Sequence, residues 1–254
     1  MHTRLIENTT PGTTWRERAL WKYYYGRPQW KDGTTQFWQY IQQSICHGSS
    51  ILEVGAGPTN KTTEFLSRLG RVTGLDIDPA VRTNEHCSNA VVYDGTHIPF
   101  DTDSCDFVVS DFVCEHLKDP PALTREIHRV LRPLGRFVFR TPNLWHYVSL
   151  VAKLTPQWFH CCVANRARAL SDNSHRPYQT YHRMNTRRAC LKILTNAGFK
   201  IESMKLIEPE PSYGLVSPLA FYPLMAWERI LNSTSALEVL RANILCVARA
   251  DKQQ

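Results

Sequence analysis

The chain predicts an α/β domain: an open, mainly parallel sheet with helices on its faces. Two observations carry this prediction. Between Ser49 and about Thr141, short apolar strand-like runs alternate with helix-like runs across short links. The first of them, Ile51-Leu52-Glu53-Val54, opens into the glycine turn Gly55-Ala56-Gly57, the point at which ligands of such sheets bind. The size is sufficient, since 254 residues with 43% hydrophobic content bury a full core in one large domain.

Each element can be justified in order. The residues up to about Gly48 form a mostly helical lead rich in aromatics, from Trp15 through Tyr23, Tyr24 and Tyr25 to Trp38 and Tyr40. In the strand and turn that follow, the glycines let the backbone turn tightly and approach a ligand, while Glu53 sets negative charge where a phosphate is unwelcome. That combination suits a nucleoside cofactor with cationic groups, and S-adenosylmethionine is the leading candidate. A dinucleotide site carries a further glycine where this chain has Asn60.

Val72-Thr73-Gly74-Leu75-Asp76 reads as the second strand, with Asp76 at its carboxyl end, suited to accept from both ribose hydroxyls. Ile77 then offers an aliphatic surface to an adenine face. The third strand, Ala90 to Tyr93, ends in Asp94-Gly95, where Asp94 can accept from the adenine amino group. A fourth runs from Cys105 to Ser110 into Asp111, a candidate helix cap, and Glu115-His116. Arg125 to Gly135 closes a helix, and Arg136 to Thr141 gives a fifth strand.

Taken together, Glu53-x-Gly55-x-Gly57, Leu75-Asp76-Ile77-Asp78, Asp94-Gly95 with Ile98-Pro99-Phe100, Phe107 to Ser110 with Glu115-His116, and Arg129-Val130-Leu131-Arg132-Pro133-x-Gly135 resemble a class I S-adenosylmethionine-dependent methyltransferase of the small-molecule, methyltransferase-11-like type. The resemblance is strong over about residues 50–142. It implies a Rossmann-like seven-stranded sheet flanked by helices, with the last strand antiparallel, and S-adenosyl-L-homocysteine as product. It further implies that Glu53, Gly55, Ala56 and Gly57 line the methionine side, that Asp76 and Ile77 hold the ribose and adenine edge, that Asp94 and Gly95 meet the adenine, and that Ser110 forms the inner wall. Two departures stand out: Thr59 where the family often has a third glycine, and Pro133-Leu134-Gly135 where it has Pro-Gly-Gly.

Residues 1–48 are then expected to act as an aromatic lid, since aromatic faces attract a sulfonium as they attract ammonium ions; packing on the core is the competing reading. Residues 49–254 form the methyltransferase domain, with an acceptor-binding insertion at about 142–185. Thr186 to Phe199 reads as a capped helix stopped by Gly198, Lys200 to Leu206 as a strand, Leu215 to Leu231 as a proline-broken apolar helix pair, and Asn243 to Ala248 as a last strand.

Charge points to the acceptor. Between Glu126 and Glu202 there are 13 basic residues and one acidic residue, Asp172, a net of +12 in a chain whose total is +7. A basic insertion suits a small acceptor with carboxylate or phosphate, of natural-product, lipid-linked or sugar-like type. A solvated basic surface is the plain alternative. Nucleic acid is the weaker rival, because the chain lacks the Asn/Asp-Pro-Pro-aromatic motif that holds a flipped base. A non-catalytic cofactor-binding scaffold is a third reading.

In-line attack on a sulfonium methyl needs chiefly alignment and exclusion of water, and a hydroxyl acceptor needs a base as well. The candidate bases are Glu115, His116 and His182, with His146 a further one; Tyr25, Trp145, His146, Tyr181 and Arg183 are expected to bind substrate, Arg183 gripping an anion. The apolar stretch Leu215 to Trp227 could line an acceptor channel, form an interface or rest on a membrane surface. No run of eighteen apolar residues appears, Met1 to Asn8 lacks a secretory apolar core, and the eight cysteines form no CxxC pair. These features predict reduced thiols, a cytoplasmic setting, no transmembrane segment and no metal.

Overall fold

The computed structural model describes residues 14–154 and 179–252, and within them all side chains except those of residues 151–154. Parts of the predicted insertion, including Trp158, Arg166, Arg168, Arg176 and Tyr178, fall outside the described residues, as do Met1 to Asn8.

Seven strands form one sheet: β1 Ser49–Val54, β2 Gly70–Asp76, β3 Asn89–Val92, β4 Cys105–Asp111, β5 Leu131–Pro142, β6 Phe199–Ile207 and β7 Asn243–Ala250. Their order is β3-β2-β1-β4-β5-β7-β6. The first five pair in parallel, and β7 inserts antiparallel between β5 and β6. Near-continuous apolar runs such as Phe107-Val108-Val109 suit strands covered on both faces. One face carries Leu52, Val54, Val108, Phe137, Phe139 and Cys246 against α4 (Pro120–Val130) and α6 (Arg187–Asn196). The other carries Ile51, Val72, Phe107, Val109 and Val138 against Phe37 and Ile41 of α2 (Gly33–Ser44) and Leu66 of α3 (Lys61–Ser67).

The helices start where short polar side chains cap them. Asp32, Asn60, Asp119 and Thr186 each accept a backbone N–H of the first turn. Leu123, Thr124, Ile127 and Val130 recur at helical spacing and give α4 its buried stripe. α4 ends at Val130, five residues before the predicted end at Gly135. The chain reverses there directly into β5, with Leu134 left-handed at φ 66°.

The lead divides in two. α2 packs on the sheet, whereas α1 (Trp15–Leu20), continued by a wider turn over Trp21–Tyr25, packs on α7 (Pro218–Ser233). Tyr24 is fully buried beside Phe221, and its hydroxyl donates to Glu228 at 2.9 Å. The expected broken helix pair is a 3-10 turn over Ser212–Val216 followed by one α7 that runs through Pro223. The proline costs a single amide donor and sits on the exposed side, where water reaches the spared carbonyl. α5 spans Tyr147–Leu154. Because β7 runs antiparallel, the end of β6 and the start of β7 lie beside the end of β5. Both stretches that interrupt the later strands, 143–186 and 208–242, therefore leave the sheet from the edge that holds the glycine turn.

Candidate functional site

The carboxyl ends of β1 to β4 gather the predicted cofactor residues. Gly55 and Gly57 have φ of 80° and 58°, values open to glycine at little cost. A Cβ on Gly55 falls 2.2 Å from Val113 Cγ2, so the turn tolerates no side chain there; a Cβ on Gly57 meets nothing within 4 Å, leaving open space beside the backbone. Asp76 latches this turn: its Oδ2 accepts from Gly57 N at 2.8 Å and its Oδ1 from Asp78 N at 2.9 Å. Asp76 thus orders the turn with both of its oxygens.

Glu53 is 1% exposed. Its Oε1 accepts from Asn60 Nδ2 at 3.3 Å, while its Oε2 is buried without a partner. Burial pushes its carboxyl up to about 7, against the neighbouring Thr63 and Asn60 side chains, which lower it. A buried acceptor lacking a donor is costly and calls for one. The cationic methionine end of S-adenosylmethionine fits that requirement, and Asp76 with Ile77 fits its nucleoside end. Ile77 is 51% exposed, and its Cγ2 lies 3.3 Å from the position of a Cβ on Gly95. Asp94 is exposed, and its Oδ1 already takes Thr96 N and His97 N, both at 2.7 Å, which holds its carboxyl below the usual range. Only its other oxygen is left for an adenine amino group. Ala56 and Ser110 are buried.

Two asparagines were missed as site residues. Asn60 Nδ2 donates to Ala56 O at 2.6 Å, and Asn84 Nδ2 reaches Ala56 O and Gly57 O at 3.3 and 3.2 Å. Asn60 carried a signal as the cap residue after a glycine turn; Asn84 lies in an irregular stretch and carried none.

Beyond β4, Glu115 is 5% exposed. Asn185 Nδ2 donates to Thr141 Oγ1 at 2.8 Å, so that hydroxyl spends its own proton on Glu115 Oε2 at 3.2 Å. The titrating oxygen is then Oε1, which faces His116 Nε2 at 4.0 Å. His116 Nδ1 lies 3.0 Å from Gln179 O, an acceptor, so Nδ1 holds the hydrogen and Nε2 is the basic nitrogen of the neutral ring. Burial pushes Glu115 up to about 7. Tyr181 N and His182 N both donate to the main-chain Glu115 O, at 2.8 and 3.1 Å, which brings Glu115, His116, Tyr181 and His182 together. His182 is left-handed, at φ 51°. Arg183 stacks 5.5 Å from the Tyr181 ring centre and donates to Lys118 O.

The remaining candidates lie apart from Glu115. His146 is buried against Glu208, Nε2 to Oε1 3.2 Å. Tyr25 faces Glu210 at 3.5 Å in the packing beneath α7, and Trp145 is half exposed at 50%. Asp111 caps no helix. Arg140, 5% exposed, grips it bidentately at 2.7 and 2.8 Å, and the guanidinium lies between the rings of Phe37 and Phe112. Four more cations of the basic interval are spent in the same way: Arg129 on Glu126, Arg132 on Asp106, Arg136 on Glu202, Arg187 on Glu238. Among the described residues the six cysteines are free, no three metal-ligating side chains converge, and no helix is long and apolar enough to cross a membrane.

A sheet in this order, with acidic strand ends gathered around a glycine turn, matches the class I methyltransferase fold. Residues 52–139 match the family described as the methyltransferase domain. A Mycolicibacterium smegmatis protein named a probable S-adenosylmethionine-dependent methyltransferase is 36% identical over 103 residues, covering 39% of this chain and 40% of its own. The chain spans about half the length of the first curated relatives it matches. A SAM-dependent methyltransferase structure from Methanosarcina mazei shares the fold at TM-score 0.55 and 18% identity, covering 84% of this chain and 98% of that one. The [4+2]-cyclase SpnF shares it at TM-score 0.56 and 16% identity, covering 90% and 85%.

Proposed function

We propose that the protein moves a methyl group from S-adenosylmethionine to a hydroxyl of a small-molecule acceptor, of natural-product, lipid-linked or sugar-like type. The carrying observation is Glu115, a buried carboxyl at the ligand edge of β4 with one oxygen held by Thr141 and the other turned to His116. When bound, the cofactor supplies an activated methyl group. Glu53 compensates positive charge, Asp76 binds the ribose hydroxyls while holding the turn, and Glu115 Oε1 takes the acceptor proton as the methyl is transferred. Tyr181 and His182 are tied to the Glu115 main chain, and Glu115 itself is 5% exposed, so little water reaches its carboxyl.

Five of the thirteen cations of the basic interval, Arg129, Arg132, Arg136, Arg140 and Arg187, are paired within the fold, and Arg183 is the one beside Glu115 through which an anionic acceptor would be held. A cyclase on the same fold is a reminder that fold and chemistry separate.

Isothermal titration with S-adenosylmethionine, S-adenosylhomocysteine and NAD tests the first half. Micromolar binding of the sulfur compounds and none of NAD is expected. Asp76→Ala should weaken binding about a hundredfold or more through lost charge-assisted hydrogen bonds. It should also lower stability by about 1–3 kcal/mol, because the freed Gly57 and Asp78 amides lose their acceptor. Binding of NAD alone, or of neither sulfur compound, overturns the reading.

A further inference from the structure

The outward face of α7 is apolar along its whole length. Leu219, Tyr222, Trp227 and Ile230 are 89%, 48%, 37% and 50% exposed, and Pro223 and Ala226 complete the stripe between them. Their spacing is that of one helical face, opposite the side that buries Phe221, Glu228 and Leu231. A 16-residue helix is about 24 Å long, so the stripe is extended as well as continuous. Isolated apolar residues at a surface need no explanation, but a contiguous face of this kind does.

The border of that face is cationic. Tyr222 meets Tyr23 edge-on at 6.1 Å, and Lys22 Nζ lies 5.2 Å from the Tyr23 ring centre. Arg16, on the neighbouring α1, adds a further cation 6.0 Å from the Trp15 ring. Residues 14–31 carry five basic side chains and a single carboxylate, Glu17. The carboxylate of α7 itself, Glu228, is turned inward to Tyr24 and Asn232. The surface thus joins an apolar ridge, containing a tryptophan and a tyrosine, to a positive rim.

We propose that α7, with the α1 rim, is a docking surface for anionic membrane. The helix lies in the plane of the lipid surface, with Leu219, Tyr222, Trp227 and Ile230 below the headgroups and Lys22 and Arg16 among them. Charge decides between this occupant and a second copy of the chain. A twofold interface sets each cationic rim near its own copy, where like charges repel, whereas anionic lipid neutralises it.

Flotation of the full chain with phosphatidylglycerol-containing vesicles and with pure phosphatidylcholine vesicles tests this. The protein should float with the anionic vesicles at low salt, and less with the neutral ones or at high salt. Leu219→Ser with Ile230→Ser should weaken partitioning about tenfold or more, and Lys22→Ala about fivefold, with far-ultraviolet dichroism and titration of S-adenosylmethionine unchanged. Absence of flotation with either vesicle overturns the proposal. So does a concentration-dependent dimer in sedimentation velocity that Leu219→Ser with Ile230→Ser dissolves, because the face then belongs to a second copy.

Discussion

Glu53 and Glu115 are both buried carboxyls raised to about 7, and their surroundings separate their tasks. Glu53 has a bare oxygen beside a glycine turn, whereas Glu115 has an oxygen facing a histidine. If the cofactor's positive charge draws the proton from Glu53, its affinity should rise with pH up to about 7 and then level. Titration from pH 5 to 8 checks this, and Glu53→Gln should flatten the curve. The rate of the methyl-transfer step should likewise rise through about pH 7 if Glu115 is the base. Glu115→Gln should cost about 10²–10⁴-fold in kcat with little change in cofactor affinity. The types and positions of both residues were legible in the sequence, since each follows from its offset to a strand end. Their burial was not, because it depends on Asn60, Thr141, Tyr181 and His182, which lie elsewhere in the chain.

At the level of elements, the reversal from α4 into β5 holds a leucine in a glycine's conformation. Leu134 has φ 66° and is 54% exposed, so its side chain gains little from packing while its Cβ crowds the backbone. Leu134→Gly should raise stability by about 0.5–1 kcal/mol, the relief of strain exceeding the added unfolded-state entropy. Urea denaturation reads this as a higher midpoint at unchanged slope. Thr59, the other departure from the family pattern, is not left-handed and carries no such strain. The helix end itself was misplaced because Leu131-Arg132-Pro133-Leu134-Gly135 contains no residue that stops a helix before Pro133. Pairing of Leu131 with Cys105 stops it instead. Arg140 was counted as acceptor charge for a related reason: its partner, Asp111, is 29 residues away in sequence and adjacent only across the β4–β5 ladder.

For the whole molecule, three carboxyls, Glu53, Glu115 and Glu210, are held up at about 7 by burial. An unfolded chain releases those protons near the ordinary carboxylate value of about 4.3. Between the two values the folded state binds more protons, so these groups contribute stability at low pH that is lost as pH rises through about 7. The cofactor-free protein should therefore show a thermal midpoint that falls from pH 5 to pH 7.5, and Glu210→Gln should reduce the fall. A midpoint that rises over that interval in both proteins contradicts the burial of these groups. The sequence by itself determined the α/β class, the seven-stranded sheet and its antiparallel last strand, because those depend on local periodicity and on motifs set at fixed offsets from strand ends. The tertiary structure alone decided which cations are spent in ion pairs, that α1 rests on α7, and that one face of α7 stays uncovered, because each of these depends on contacts between segments far apart in the chain.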